Sequence, residues 1–401
     1  MSGSSRSGFT SPRRLALALA AGLAVLLGGC ATSRPPMPSA SPGEFFADDA
    51  FRPSSVPVDP GNVFALNDAM KAYVRDNGPT ALRNGFMVRE HLLNDLFTHD
   101  RLKLDYESTR TRTASEAFNA RSGNCLSLVI LTGAMARELD IDVTFQAVDT
   151  EEMWSRAGDL YFLNGHVNVM LGHGHGESHN RLDYAISKVV DFLPPGEQGN
   201  PRTHEISEHT VLAMYMNNRA AESLVDDRVD DAYWFAREAI RQDPAFLSGY
   251  NTLGVVYLRH HDAARAERVL SRVAAIAPGN PRVLGNLAQA LGDLGRTDES
   301  RVLQARVDKL EPVPPFHWFV LGQLAMAHGE YKLARDEFLK ELDREPDYHE
   351  FHFWLAQAEM KLGDVADARK HLALAMTNST RAADRALYSV KLDRLRAAGV
   401  Q

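Results

Sequence analysis

A regular repeat organises the C-terminal half of the chain. Pro244, Pro278, Pro312 and Pro346 recur at a constant spacing of about 34 residues. When repeats are set to begin at residues 213, 247, 281, 315 and 349, two positions carry a small residue every time. The eighth position is Ala220, Gly254, Ala288, Gly322 and Ala356, and the twentieth is Ala232, Ala266, Ser300, Ala334 and Ala368. Small residues let two helices approach closely and proline ends a helix, so the pattern predicts stacked helix pairs.

This pattern is typical of the tetratricopeptide repeat. We predict five repeats over residues 207–382, forming an all-α solenoid. A closing helix over residues 383–401 is expected to cover the last apolar face. Because such solenoids offer extended surfaces to other molecules, we expect a protein or peptide partner on the repeats.

The first 29 residues are typical of a targeting segment. Arg13 and Arg14 precede an apolar run over residues 15–27, and small residues follow it. A basic region, a short apolar region and small residues before a cleavage point indicate a signal peptide. The ending Leu-Gly-Gly-Cys at residues 27–30 resembles a bacterial lipobox, which implies cleavage before Cys30 and lipidation of that residue.

Lipidation of Cys30 would anchor the protein to the cell envelope without a transmembrane segment. The residue after Cys30 is Ala31 and not an aspartate. By the same resemblance, this predicts that the protein is anchored in the outer membrane and faces the periplasm. Residues 30–61 are rich in proline and serine and are predicted to form a tether.

The formal net charge of −8 becomes about −11 once the three arginines of the signal segment are removed. This acidity argues against nucleic-acid binding, which calls for basic patches.

Residues 115–136 place a thiol at the start of a buried helix. Gly123 and Asn124 run directly into Cys125, and almost all of the next eleven residues are apolar or small. The amides and the positive dipole end at a helix N-terminus favour a thiolate and can hold an oxyanion. With Cys30 lipidated, Cys125 has no disulfide partner, because the chain has two cysteines. These features favour a nucleophile over the alternative of a buried core cysteine.

A base and an orienting acid follow on predicted strands. Alternation of apolar residues predicts strands over residues 142–148 and 166–171, with another over residues 188–193. Helices followed by an antiparallel sheet give an α+β layout for residues 62–200. His166 is the candidate base. Asp191 and Asp183 are the candidates for the acid, and strand pairing favours Asp191 because it places that residue opposite His166.

At these residues the chain resembles the transglutaminase-like superfamily, and in particular bacterial members joined to tetratricopeptide repeats. The matching stretches are residues 111–118, 121–127, 165–169 and 190–192. The resemblance implies a papain-like α+β core with Cys125 as nucleophile, His166 as base and Asp191 as the orienting acid. It also implies acyl chemistry at an amide through a thioester, as a peptidase, an amidase or an acyl transferase. We favour hydrolysis over transfer, and we expect no cofactor and no metal.

Two other interpretations stay open. In the first, the protein is a non-catalytic interaction scaffold of the cell envelope, and the repeats carry its function. In the second, the stretch His-Gly-His-Gly-Glu-Ser-His at residues 173–179 binds a divalent metal through imidazoles. The spacing of these histidines matches no closed zinc site, so an exposed hairpin loop is the favoured interpretation of this stretch.

Overall fold

The computed structural model describes residues 41–77, 85–98, 102–108, 110–157, 160–174, 187–192 and 202–398. Side chains are described in these ranges except at residues 85–86, 149–157, 160–164, 173–174, 382 and 398. The predicted signal segment, Cys30 and Asp183 lie outside the described residues. Within the described ranges, no helix combines the length and the apolar character that crossing a bilayer requires.

Four helices form the first part of the fold. They are α1 (Asp68–Asn77), α2 (Gly85–Phe97), α3 (Ala114–Ala120) and α4 (Cys125–Glu138), and two short paired strands, β1 (Asp105–Tyr106) and β2 (Ser122–Gly123), lie among them. Thr113 caps α3 through a reciprocal pair of hydrogen bonds with Glu116. Helix α4 begins at Cys125, as predicted. Its residues 126–136 are all buried, which identifies α4 as the central helix of this part.

A four-stranded antiparallel sheet follows α4. Its strands are β3 (Ile141–Ala157), β4 (Leu160–Gly174), β5 (Lys188–Val190) and β6 (Arg202–Ile206), in the order β5-β4-β3-β6. Strands β3 and β4 run beyond the predicted segments, whereas β5 is shorter than predicted. Strand β6 was not predicted, because its first four residues are exposed and form no apolar face. Val167, Val169 and Leu171 on one face of β4 are fully buried, and His166 and Asn168 on its other face are buried as well.

Five helix pairs and a closing helix occupy the rest of the described chain. The first helices of the pairs are α5 (Glu208–Val225), α7 (Leu247–Arg259), α9 (Pro281–Asp293), α11 (His317–His328) and α13 (His349–Leu362). The second helices are α6 (Val229–Gln242), α8 (Ala263–Ile276), α10 (Thr297–Leu310), α12 (Tyr331–Arg344) and α14 (Val365–Asn378), and α15 (Ala382–Ala398) closes the stack. The small residues of the two predicted positions are buried except Ser300, whose hydroxyl donates to the Ala288 carbonyl at 2.7 Å.

Residues 42–62 fold against the first two repeats. Phe51 stacks on Tyr233 with 4.0 Å between ring centroids, and the Tyr257 hydroxyl donates to the Phe45 carbonyl at 2.6 Å. Asp48 accepts a hydrogen bond from the Tyr233 hydroxyl at 2.6 Å. The predicted tether therefore needs correction over residues 42–61, because buried aromatic side chains fix this segment to the repeats. The proline and serine content indicated a tether, whereas the phenylalanines of this segment, Phe45, Phe46 and Phe51, are the sequence signal for such docking.

The stack of repeats is interrupted between the third and the fourth. No residue of α10 is buried, and α10 and α11 do not pack along their lengths as the other consecutive helices of the repeats do. Val302 on α10 is 70% exposed, and Val320 and Leu324 on α11 are exposed as well. Phe316 adopts a left-handed conformation with φ of 62° just before α11. The solenoid thus divides into repeats 1–3 and repeats 4–5 with the closing helix.

Gly322 should not tolerate a side chain, because α11 crosses α12 there at close range. A Cβ at Gly322 would lie 2.4 Å from the ring of Phe338, which is fully buried. We expect Gly322→Ala to lower the free energy of unfolding by about 1–3 kcal/mol, measured by thermal melting. Gly285→Ala is the control, because its Cβ meets no atom within 4 Å and alanine favours a helix by up to about 1 kcal/mol over glycine. Equal melting shifts in the two variants would contradict the close crossing.

Candidate functional site

The loop before Cys125 is fixed by backbone hydrogen bonds and close packing. The Asp105 amide donates to the Arg121 carbonyl and the Glu107 amide donates to the Gly123 carbonyl, each at 2.9 Å. A Cβ at Gly123 would lie 2.6 Å from the Ser127 Cβ. Only a residue without a side chain therefore lets β2 pass so close to the first turn of α4.

Cys125 is the first residue of α4, and Asn124 caps the helix. Asn124 Oδ1 accepts hydrogen bonds from the Ser127 amide at 2.9 Å and from the Ser127 hydroxyl at 2.7 Å. Helix geometry leaves the amides of Cys125 and Leu126 without an acceptor inside the helix. The Cys125 side chain is half-buried, and both residues line an open groove. The thiol thus lies beside amides that can hold an oxyanion.

His166 and Asp191 meet where β4 lies beside the end of β5. Val169 pairs with Val190 in antiparallel register, which turns Asp191, the residue after β5, toward His166. The distance between His166 Nε2 and Asp191 Oδ1 is 2.6 Å. The His166 side chain is fully buried, whereas Asp191 is 30% exposed. The structure therefore brings these two predicted residues into direct contact.

The surroundings of His166 favour its charged form. Burial is the largest single influence and by itself lowers the pKa of His166. The hydrogen bond with Asp191 and the interaction with the Cys125 side chain outweigh burial and raise the pKa of His166 to about 9. An imidazole with this pKa is an imidazolium at neutral pH, and an imidazolium is the partner that stabilises a thiolate.

Polar residues that were given no role from the sequence complete the site. Asn168 Nδ2 donates to Asp191 Oδ2 at 3.4 Å, and Asn124 Nδ2 donates to the Thr111 hydroxyl at 2.9 Å. The role of Asn124 has a local signal, because asparagine before an apolar run is a favoured helix cap. The role of Thr111 has no local signal, because Thr111 lies 13 residues before Asn124 in the chain.

The competing candidates for the site fall on residues that the structure does not place. Asp183 and residues 175–179 of the histidine-rich stretch lie outside the described residues. In the part of the chain that is described, no cluster of three metal-ligating side chains occurs.

Cys125 opens into a groove that continues along the inner surface of the repeats. Its volume is about 2180 Å³. Thr111, Asn124 and residues of α5 line the groove near the thiol. Side chains of the later first helices and of α15 line it further along, among them Asn251, Asn286, Val320, Phe353 and Tyr388. The thiol and the inner surface of the solenoid therefore share one continuous cleft.

Comparisons with known proteins identify the repeats. Tetratricopeptide repeat models match residues 257–317 and residues 319–386. Together with the helix pairs, these matches confirm a C-terminal region of tetratricopeptide repeats, a kind of structure that generally binds protein partners. No curated protein matches the chain.

Several solved structures resemble part of this chain at low similarity. PilF of Pseudomonas aeruginosa is 19% identical with a TM-score of 0.27, over 46% of this chain and 84% of that chain. A thermophilic repeat protein of Thermus thermophilus is 17% identical with a TM-score of 0.29, over 45% and 98% of the two chains. MamA is 17% identical with a TM-score of 0.25, over 43% and 93%. Likeness at this level carries no argument about function.

Proposed function

We propose that this protein holds a protein or peptide partner in the groove along its repeats and acts as an interaction scaffold. The observation that carries the proposal is the groove itself, whose walls are the first helices of successive repeats. The groove is long and open, as an extended polypeptide requires. The matches to tetratricopeptide repeats favour this role over every other.

A second function, acyl chemistry at Cys125, is supported by a separate observation. His166 lies 2.6 Å from Asp191, and its interaction with the Cys125 side chain helps to raise its pKa. A buried histidine whose pKa is raised by a carboxylate and a thiol is unusual outside functional sites. The resemblance to the transglutaminase-like superfamily supports the same assignment. Because Cys125 opens into the groove, the substrate of this chemistry would be an amide of the bound partner.

The residues present suffice for a complete reaction cycle. The Cys125 thiolate attacks the amide carbonyl carbon, and the first amides of α4 stabilise the oxyanion. The His166 imidazolium gives its proton to the departing amine as the C–N bond breaks, which leaves a thioester on Cys125. Neutral His166 then takes a proton from water as the water attacks the thioester, and collapse releases the carboxylic acid and the Cys125 thiolate beside the restored His166 imidazolium. An amine in place of water would give transfer instead of hydrolysis, and Asp191 holds the ring of His166 in place throughout.

We propose, from the N-terminal sequence, that the protein works in the cell envelope. Cleavage before Cys30 and lipidation of that residue would anchor it to the outer membrane, facing the periplasm. Metabolic labelling with a radioactive fatty acid should label the wild-type chain and leave Cys30→Ala unlabelled.

Site-specific crosslinking tests the scaffold role. A photoreactive residue in place of Val255, which lines the groove, should crosslink to one partner protein in cells. The same residue in place of Arg301, whose side chain is 75% exposed on α10, should not. Excess unmodified protein should compete away the Val255 product, and Cys125→Ser should retain it because binding does not need the thiol. Equal crosslinking from both positions, or none from Val255, would contradict binding in the groove.

A further inference from the structure

Helix α5 belongs to the first repeat, yet its side chains reach the loop that carries the thiol. Glu222 Oε1 accepts a hydrogen bond from the Thr111 amide at 2.6 Å. Asn218 Nδ2 donates to the Thr111 hydroxyl at 3.2 Å, and Arg219 donates to the Thr111 carbonyl at 3.3 Å. The amide, the hydroxyl and the carbonyl of Thr111 are therefore all held by one turn of α5.

Thr111 passes this restraint on to the first turn of α4. Its hydroxyl oxygen also accepts the hydrogen bond from Asn124 Nδ2 at 2.9 Å, so both lone pairs of the oxygen are occupied. Asn124 in turn caps α4 through Ser127, and the Arg112 amide donates to the Ser127 hydroxyl at 2.8 Å. An unbroken chain of hydrogen bonds thus runs from α5 through Thr111 to the residue that precedes Cys125.

Thr111, at the centre of this chain of hydrogen bonds, is shielded from water. Thr111 is 1% exposed. Burial raises the pKa of Glu222 above its ordinary value, and the hydrogen bond from the Thr111 amide and the charge of Arg219 act against that rise. Arg219 pairs with Glu222 at 3.2 Å. Hydrogen bonds that are shielded from water hold their geometry better than exposed ones.

The same α5 side chains face the groove. Asn218, Arg219 and Glu222 line it together with Thr111, Asn124 and Cys125. A ligand on the first repeat therefore touches the groups that position the thiol loop. The two parts of the chain meet through a polar network at the place where a bound partner would reach the thiol.

We propose that α5 is a positioning element of the Cys125 site. Asn218 and Glu222 fix the contact between Thr111 and Asn124. A ligand on the first repeat touches these side chains and therefore sets the reactivity of the Cys125 thiol. This inference rests on the proposed acyl chemistry and adds its regulation. Glu222 and Asn218 act through Thr111 and Asn124, and they do not take part in bond making.

The test is the alkylation rate of Cys125 by iodoacetamide, in the full chain with Cys30→Ser so that a single thiol remains. Glu222→Ala should slow alkylation at pH 6.5 roughly tenfold and flatten its pH profile, since small displacements of a reacting group are costly. Glu222→Gln should stay within about twofold of wild type, because an amide oxygen also accepts the Thr111 N–H bond. Asn218→Ala should also slow the reaction, and circular dichroism checks that each variant is folded.

The matched control is Asp298→Ala, which removes a carboxylate that is 95% exposed on α10 and is not among the residues lining the groove, and it should leave the rate unchanged. Glu222→Ala and Asn218→Ala reacting like wild type would overturn the inference, and so would Glu222→Gln reacting as slowly as Glu222→Ala. His166→Ala in the same assay separates this inference from the proposed chemistry. If His166→Ala is alkylated at the wild-type rate, the proposed chemistry is contradicted. If His166→Ala is alkylated slowly and Glu222→Ala at the wild-type rate, only the positioning role is contradicted.

Discussion

Replacing His166 by alanine is expected to slow the alkylation of Cys125 at pH 6.5 by about 10- to 100-fold, because a free thiol is only about 1% ionised at that pH. In the intact protein Asp191 and Cys125 raise the pKa of His166 to about 9, and in the proposed chemistry the resulting imidazolium would stabilise a thiolate. Without it, the sulfur keeps only the amides and the dipole of α4, which are worth about 0.3–1 kcal/mol near a helix end. The measurement is the second-order rate constant over pH 5.5–9.

Two further variants define the cause of this effect. Asp191→Asn keeps the shape of the side chain and removes its charge, so it should give a rate between those of wild type and His166→Ala. His204→Ala is the control, because His204 lies on β6 of the same sheet and is exposed; its rate should equal that of wild type. If all four proteins react alike, the ion pair is not formed in solution and the scaffold function stands alone.

The parts of the fold that were predicted correctly are those with local signals. The prolines and small residues of the repeats act within a helix or between adjacent helices, so their regular spacing is enough to predict the helix pairs. Helix α4 is likewise marked by its own residues, a cap at Asn124 and an apolar run. The strand predicted by alternation over residues 166–171 lies within β4.

The parts that were not predicted depend on contacts between residues far apart in the chain. Phe51 precedes the repeats and Tyr233 belongs to the first of them, and no local pattern shows that they stack. The hydrogen bonds from Thr111 to Glu222 and from Asn218 to Thr111 also join distant parts of the sequence. Strand β6 has an exposed polar sequence, and it is a strand only because β3 offers it an edge.

The candidate site combines residues that have a local sequence signal with contacts between residues far apart in the chain. Cys125 and His166 were predicted from the start of a helix and the start of a strand. The contact between His166 and Asp191 was predicted from strand pairing, which favoured Asp191 over Asp183, and the structure places Asp191 2.6 Å from His166. The interruption between α10 and α11 was missed, because Pro312 keeps the 34-residue period and the loss of packing leaves no trace in that period.

The charge on His166 should be measurable directly. In wild type, nuclear magnetic resonance of the imidazole nitrogens should give His166 a pKa of about 9, against an ordinary value of 6.5. The Cys125 side chain helps to raise the pKa of His166, so the pKa of His166 should fall in the Cys125→Ala variant. Asp191→Asn should lower the pKa of His166 as well. A value at or below 6.5 in wild type would contradict the raised pKa, because the effect of burial would then equal or exceed that of both partners.

The raised pKa of His166 also determines how the free energy of unfolding depends on pH. Because the folded protein binds the His166 proton more tightly than the unfolded chain does, this proton stabilises the fold fully below about pH 6.5. The contribution is lost as pH rises from about 6.5 to about 9, and it amounts to about 1–3 kcal/mol. Native-state hydrogen exchange of the buried α4 amides measures it. The stability difference between wild type and His166→Ala should shrink over that pH range, whereas a constant difference would mean that His166 contributes by packing alone.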